Sequence, residues 1–184
     1  MMDFLQGHFL VASPQLDDPN FLRTVILLAQ HDSNGALGVV LNRSTTKSMV
    51  DIWDVLGEGP CPSCEPLHVG GPVAGPLIVV HTDENSSDLE IVPGLFLTTS
   101  RDSVVRVVNR EDVPFRLFSG YSGWGEGQLE REIQTGSWLI TAATLDDVFS
   151  DPEELWTRLC RRIGKEGLSH ALPLDRIPDD PSAN

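Results

Sequence analysis

Five side chains are candidates for recognition chemistry: Asn42, Arg43, Tyr121, Trp124 and Gln128. Asn42 and Arg43 end an apolar run just before a Ser/Thr loop. A guanidinium placed there can clamp a carboxylate or phosphate through paired N–H donors. The plainer use is a salt bridge to one of the chain's 27 acidic residues. Tyr121 and Trp124 lie inside residues 120–127, where four of eight residues are glycine, and Gln128 follows. Glycines let the backbone turn tightly beside aromatic rings. The block reads as a strand-to-helix corner. Either two aromatics pack it, or it opens as a groove for a ligand or partner with Tyr121, Trp124 and Gln128 at its mouth. Helix N-termini behind glycine loops bind anions, which keeps the second reading in play.

Other constellations fall short of a reaction. The glycine block lacks a phosphate-binding loop, and neither lysine, Lys47 or Lys165, lies in a glycine cluster. The five histidines (His8, His31, His68, His81 and His170) show no zinc-protease spacing. Ser122 misses the spacing of a nucleophile elbow by one position. Glu126, Glu130 and Glu132 gather near a helix start. Paired carboxylates can do acid/base work when their surroundings split their pKa values. Complementing the helix dipole is the plainer role, and the stronger reading. Cys61 and Cys64 form one C-x-x-C pair, with His68 nearby and His81 as a distant fourth ligand. A structural zinc site wants four ligands, and a redox pair wants a helix start. Pro60, Pro62 and Pro66 instead hold this segment extended. No metal and no cofactor are therefore expected, and no established catalytic motif names a catalytic residue.

The elements that would position these residues follow from periodicity. Residues 8–13 read as a short strand, and 14–20 as a turn. Residues 23–30 form a continuous apolar run, typical of a strand buried on both faces. Asn34-Gly35 signals a hairpin into residues 36–42. A helix starts at Ser48, with Asp51 completing a capping-box-like pair and Met49, Ile52, Trp53 and Leu56 on one face. Short strands are expected at 67–69 and 76–81, then strand–turn–strand across 89–99. Ser100 caps a second helix burying Val104, Val105 and Val108. Residues 115–118 read as a strand. A third helix buries Leu129 and Ile133, and 137–141 form a strand. Asp151-Pro152-Glu153-Glu154 is a complete helix start, and Gly164 reads as the end of that helix. Strands outnumber helices without strict alternation. The expected class is therefore α+β, one domain, with a largely antiparallel or mixed sheet and about four helices.

Length and composition agree with one globular domain at residues 1–167 and a loosely ordered tail at 168–184. The chain has 184 residues, 40% of them hydrophobic. Its 13 basic and 27 acidic residues give a net charge of −14. That surface repels phosphate backbones, so direct binding of duplex DNA is not expected. Arg158, Arg161, Arg162 and Lys165 cluster, but at a helix end, where they complement the dipole, and no helix is read as carrying a basic stripe. The first residues carry no basic n-region, and no stretch approaches the roughly 20 apolar residues of a membrane span. Three cysteines without a secretory signal fit a reducing cytoplasm.

Five segments resemble the bacterial YqgE/AlgH family. They are Gly7-His-Phe-Leu-Val-Ala-Ser-Pro14 with Asp18-Pro-Asn-Phe21 and Arg23-Thr-Val-Ile26 behind it; Gly35-Ala-Leu-Gly-Val-Val-Leu-Asn-Arg43; Val69-Gly-Gly-Pro-Val73; the block from Gly120 to Glu132; and Gly136-Ser-Trp138. They occur in family order over about three quarters of the chain. The resemblance implies a compact fold and a cytoplasmic bacterial protein. Some members are named as regulators of alginate production, and the family supplies no catalytic residue or cofactor to carry over. Pro60-Cys-Pro-Ser-Cys64 and the acidic tail depart from the pattern. The expected function is regulation by binding a protein partner or small ligand. The alternative is a hydrolase or transferase of unknown substrate.

Overall fold

A computed structural model of the chain describes residues 4–56 and 59–171. Strands β1 (His8–Ala12), β2 (Val25–Asp32) and β3 (Gly35–Val40) run antiparallel in sequence order. The β2–β3 hairpin pairs Asp32 with Gly35, so its turn is Ser33–Asn34, one residue earlier than the Asn-Gly signal suggests. Gly35 serves the neighbouring strand. Its φ is +139°, and a Cβ there would lie 2.1 Å from the carbonyl oxygen of Trp124.

After β3 come β4 (Ser44–Ser48), helix α1 (Met49–Leu56), β5 (Pro66–Val69) and β6 (Val73–His81). The Ser/Thr loop read after Arg43 is thus a strand, and it pairs with β5. A 3-10 turn (Glu84–Ser86) leads to the hairpin β7 (Leu89–Val92) and β8 (Leu95–Thr98), then to α2 (Arg101–Val108). Strand β9 spans Phe115–Gly125, followed by α3 (Gln128–Gln134), β10 (Trp138–Ala142), the one-turn helix α4 (Leu145–Val148) and α5 (Pro152–Ala171). The class is α+β, with five α-helices among the described residues where about four are expected. The expected caps are made: Ser48 N donates to Asp51 Oδ2 at 2.7 Å, and Ser100 Oγ accepts from Ser103 N.

Three expectations change. The glycine block is no corner: residues 120–125 continue β9 as strand, and only the last two residues turn into α3. Glycine without side chains weakens the pattern that marks a strand, which hides this extension. Gly164 does not end α5, which runs on to Ala171. In α2, Val107 takes the buried place expected of Val105. Of the expected tail, residues 172–184 lie outside the described residues.

The sheet order is β10-β1-β2-β3-β9-β6-β8-β7, with β4 and β5 branching off through β9. The β5–β9 pairing is parallel and the rest are antiparallel. The sheet curls. Gln6, just before β1, donates its side-chain amide to the carbonyls of Glu90 and Ile91 in β7, at the far end of the strand order. The concave face holds a core of Phe9, Leu27, Leu41, Val80 and Phe118, filled by Leu155 and Leu159 of α5. On the outside, α3 covers Leu10, Ile26, Trp124 and Trp138 through Leu129. Helices α1 and α2 cover Leu67, Val79 and Leu117. Among the described residues, no helix is long and apolar enough to cross a membrane.

Candidate functional site

Asn42 is fully engaged. Its Oδ1 accepts from Val25 N at 2.8 Å and its Nδ2 donates to the Arg23 carbonyl at 2.8 Å. It thus fastens the start of β2 to the end of β3. Arg43 donates to the Pro19 carbonyl at 3.2 Å and forms no ion pair among the described residues. The salt bridge expected as the plainer role is therefore not made among the described residues.

Two further arginines surround the same stretch. Arg23 has φ +54°, a left-handed conformation uncommon for a side-chain-bearing residue. Its guanidinium lies 5.5 Å above the ring of Trp156 in α5. Arg116 of β9 is buried and donates to the carbonyls of Leu41, at 3.3 Å, and of Ser150. Burial lowers its pKa from the ordinary value, while the charges of Glu65 and Asp151 hold it up. Neither arginine has an ion pair among the described residues.

Beside Arg116 is His68, whose strand β5 pairs it with Phe118. It is buried, and its Nδ1 has no hydrogen-bond partner among the described residues. Burial lowers its pKa, and the charge of Arg116 lowers it further. Burial raises the pKa of half-buried Glu65, against the pull of Arg116. Sequence reading missed Arg116, His68 and Glu65 as a group. The available signal is Arg116 itself, two residues before Phe118 and therefore on the same strand face.

Trp124 and Gln128 meet through Glu132. The indole N–H groups of Trp124 and Trp138 both donate to Glu132 Oε2 at 2.9 Å, and Gln128 Nε2 donates to Oε1 at 3.0 Å. Gln128 Oε1 also accepts from Gly125 N at 3.1 Å, which fixes the β9–α3 turn. Phe21 stacks on Trp124 at 6.2 Å between ring centres. The Pro19–Phe21 loop held by Arg43 therefore lies over the Trp124 cluster. Four of the five candidates form one chain of contacts. Tyr121 stands apart, packed on the concave core, while Trp124 faces the outer one. Gly120, with φ +73°, sits between Phe118 and Tyr121 and allows both to face inward.

Gly70 and Gly71 mark where β9 exchanges β3 for β5 as its neighbour. Gly70 N donates to Ser119 O, Gly70 O accepts from Val40 N, and a Cβ on Gly71 would lie 2.3 Å from the backbone of Tyr121. Gly70, Gly71 and the glycine-rich end of β9 thus build a sheet junction.

Glu130, in the first turn of α3, also takes a defined partner. Glu130 accepts from His31 Nε2 at 3.0 Å, and His31 Nδ1 accepts from Leu5 N. The four cations of α5 lie on one helix face, so the chain does carry a basic stripe, contrary to the sequence reading. Asp147 of α4 binds two of them, Arg158 at 2.9 Å and Arg162 at 2.6 Å. Cys61 is partly buried against the α1–α2 core, and Cys64 is exposed.

The family model described as AlgH-like matches residues 9–167. A UPF0301 protein of Chlorobaculum tepidum is 36% identical over 167 residues, covering 87% of each chain. One from Myxococcus xanthus is 36% identical over 168 residues, covering 89% of this chain and 93% of that one. The solution structure of the AlgH protein from Pseudomonas aeruginosa superposes with a TM-score of 0.71 at 30% identity, covering 93% of this chain and 96% of that chain. A crystal structure of a protein from Corynebacterium diphtheriae, at 24% identity over 88% of both chains and TM-score 0.71, shares the fold.

Proposed function

Because the chain belongs to the AlgH-like family, we propose that it is a cytoplasmic bacterial regulator that binds a protein partner or small ligand at the sheet end around Arg23, Asn42 and Arg43. One observation carries the reading. In a chain with 27 acidic residues, Arg23, Arg43 and Arg116 form no ion pair among the described residues, and the Arg116 guanidinium and the Arg23 carbonyl bond Leu41 and Asn42 beside Arg43. The partly exposed guanidinium of Arg43, unpaired among the described residues, is suited to a carboxylate or phosphate brought by a ligand, whereas Arg116 is buried in the field of Glu65 and Asp151. Arg43 keeps donor capacity for that ligand. Asn42, Trp124 and Gln128 hold the frame, through the contacts that join the loop of Phe21 to Glu132.

The test compares capture by tagged wild-type, Arg43→Glu and Arg101→Glu proteins in the source cell. A partner or ligand held by wild type and Arg101→Glu but lost by Arg43→Glu supports the reading. Both substitutions should leave stability within about 1 kcal/mol, because each side chain gives up one exposed hydrogen bond to a backbone carbonyl. Equal capture by all three would move the binding surface elsewhere.

The hydrolase or transferase reading draws on buried His68, kept neutral near an arginine and a carboxyl whose pKa is raised. Turnover of generic ester or phosphoester substrates that disappears in His68→Gln would favour it.

A further inference from the structure

We propose that the basic face of α5 docks a short acidic segment of a partner protein. The surface differs from the one around Arg43, so the proposal stands on its own observations.

Arg158, Arg161, Arg162 and Lys165 follow the i, i+3, i+4, i+7 spacing of one helix face. They border a groove of about 610 Å³, together with Glu154 and Thr157 nearer the helix start. The other side of α5 is locked into the concave core by Leu155 and Leu159, so the face is presented by a fixed element. The helix dipole does not account for these cations. Its influence is confined to the last turn, and α5 continues to Ala171, beyond all four.

The stripe is also held in place. Asp147, 6% exposed, binds Arg158 and Arg162 through separate oxygens, and Arg158 Nη2 donates to Ser150 Oγ at 2.6 Å. One carboxylate thereby orients two guanidinium groups while neutralising a single charge. Arg161 and Lys165 are exposed and form no ion pair among the described residues. The result is a positive strip with pre-set donors, bounded toward the helix start by Glu153 and Glu154.

Charge outside the strip selects the partner. Thirteen cations less these four leaves nine, against 27 acids. A duplex would extend past the strip onto repelling surface. The strip from 158 to 165 is about 10 Å long at 1.5 Å per helical residue. An extended peptide covers that length with about three or four residues at 3.3 Å each. A run of Asp or Glu residues of that size fits without leaving the strip.

The test is fluorescence anisotropy of a fluorescein-labelled octaglutamate peptide with the whole chain. Saturable binding is expected, weakened about ten-fold or more between roughly 20 and 200 mM salt. It should vanish in the Arg161→Glu/Lys165→Glu double variant and persist in Arg43→Glu. Octaglutamine should not bind. Thermal melts of the double variant should match wild type, since both side chains are exposed. Absent binding, or binding equal in wild type and double variant, overturns the proposal. So does tighter binding of labelled duplex DNA. A concentration-dependent dimer that the double variant abolishes would assign the strip to a second copy of this acidic chain, and would overturn the choice of a foreign partner.

Discussion

The indole N–H of Trp124 lies 2.9 Å from Oε2 of Glu132, eight residues later in the chain. That oxygen also takes the indole N–H of Trp138, so one carboxylate on α3 ties β9 to β10. The neighbouring Gln128 bonds the other oxygen, which leaves the carboxylate little capacity for a ligand. The turn from β9 into α3 is consequently a joint, and Trp124 and Trp138 belong to the outer core.

Trp124→Ala should therefore cost about 3–5 kcal/mol, the range for removing a large buried aromatic. Glu132→Ala orphans two indole donors in a mostly dry setting, at about 1–3 kcal/mol for each. Urea unfolding of the two variants measures both. A Glu132→Ala protein within about 0.5 kcal/mol of wild type would show that water replaces the carboxylate freely.

Parts of this architecture are legible in the sequence. The β2–β3 hairpin is signalled by an apolar run on each side of Asn34-Gly35, and α1 by Met49, Ile52, Trp53 and Leu56 on one face. The full length of β9 is hidden, because four glycines between 120 and 127 erase the alternation that marks a strand. The Glu132 joint is hidden for another reason. An acid near a helix start suits the dipole equally well, and only the fold brings Trp138 to it. Asn42 and Arg43 stand out by their place after an apolar run. Their neighbours Arg23 and Arg116 come from distant segments, and no local pattern links them.

Two buried histidines should make stability fall on mild acidification. Burial lowers the pKa of His68, aided by the charge of Arg116. Burial also lowers that of His81, against the opposing charges of Asp83 and Asp88. A histidine with a depressed folded pKa takes its proton in the unfolded chain first. Its cost is absent above the ordinary value of about 6.5 and grows as pH falls below it. Urea unfolding between about pH 5 and 8 should show wild type losing stability from about pH 6.5 downward, with a shallower fall in His68→Leu. Parallel pH profiles for the two proteins would rule His68 out as a contributor.

Cys61 and Cys64 are expected to hold no structural zinc. Among the described residues, no group of three His, Cys, Asp or Glu side chains is placed to bind a metal ion. Cys61 instead donates its thiol to the Ser63 carbonyl at 3.0 Å. Elemental analysis of protein purified without added metal checks this, alongside melts with and without a chelator. One zinc per chain, or a melt lowered by the chelator, would overturn the expectation.

Gly164 separates two accounts of α5. As a helix terminator it would adopt a left-handed conformation, and a side chain there would strain the backbone. In the structure Gly164 is absent from the positive-φ residues, and a Cβ on it would meet nothing within 4 Å. It is then an interior helical glycine, which costs about 0.5–1 kcal/mol relative to alanine through backbone entropy. Gly164→Ala should accordingly stabilise the protein by about that amount. Gly35→Ala supplies the contrast, because its Cβ would be driven to 2.1 Å from the Trp124 carbonyl oxygen. That variant should be strongly destabilised or fail to fold. Urea midpoints of both proteins decide the matter. A clear loss of stability in Gly164→Ala would mean that the helix stops at this glycine. In that case Lys165 would leave the strip that Arg158, Arg161 and Arg162 begin.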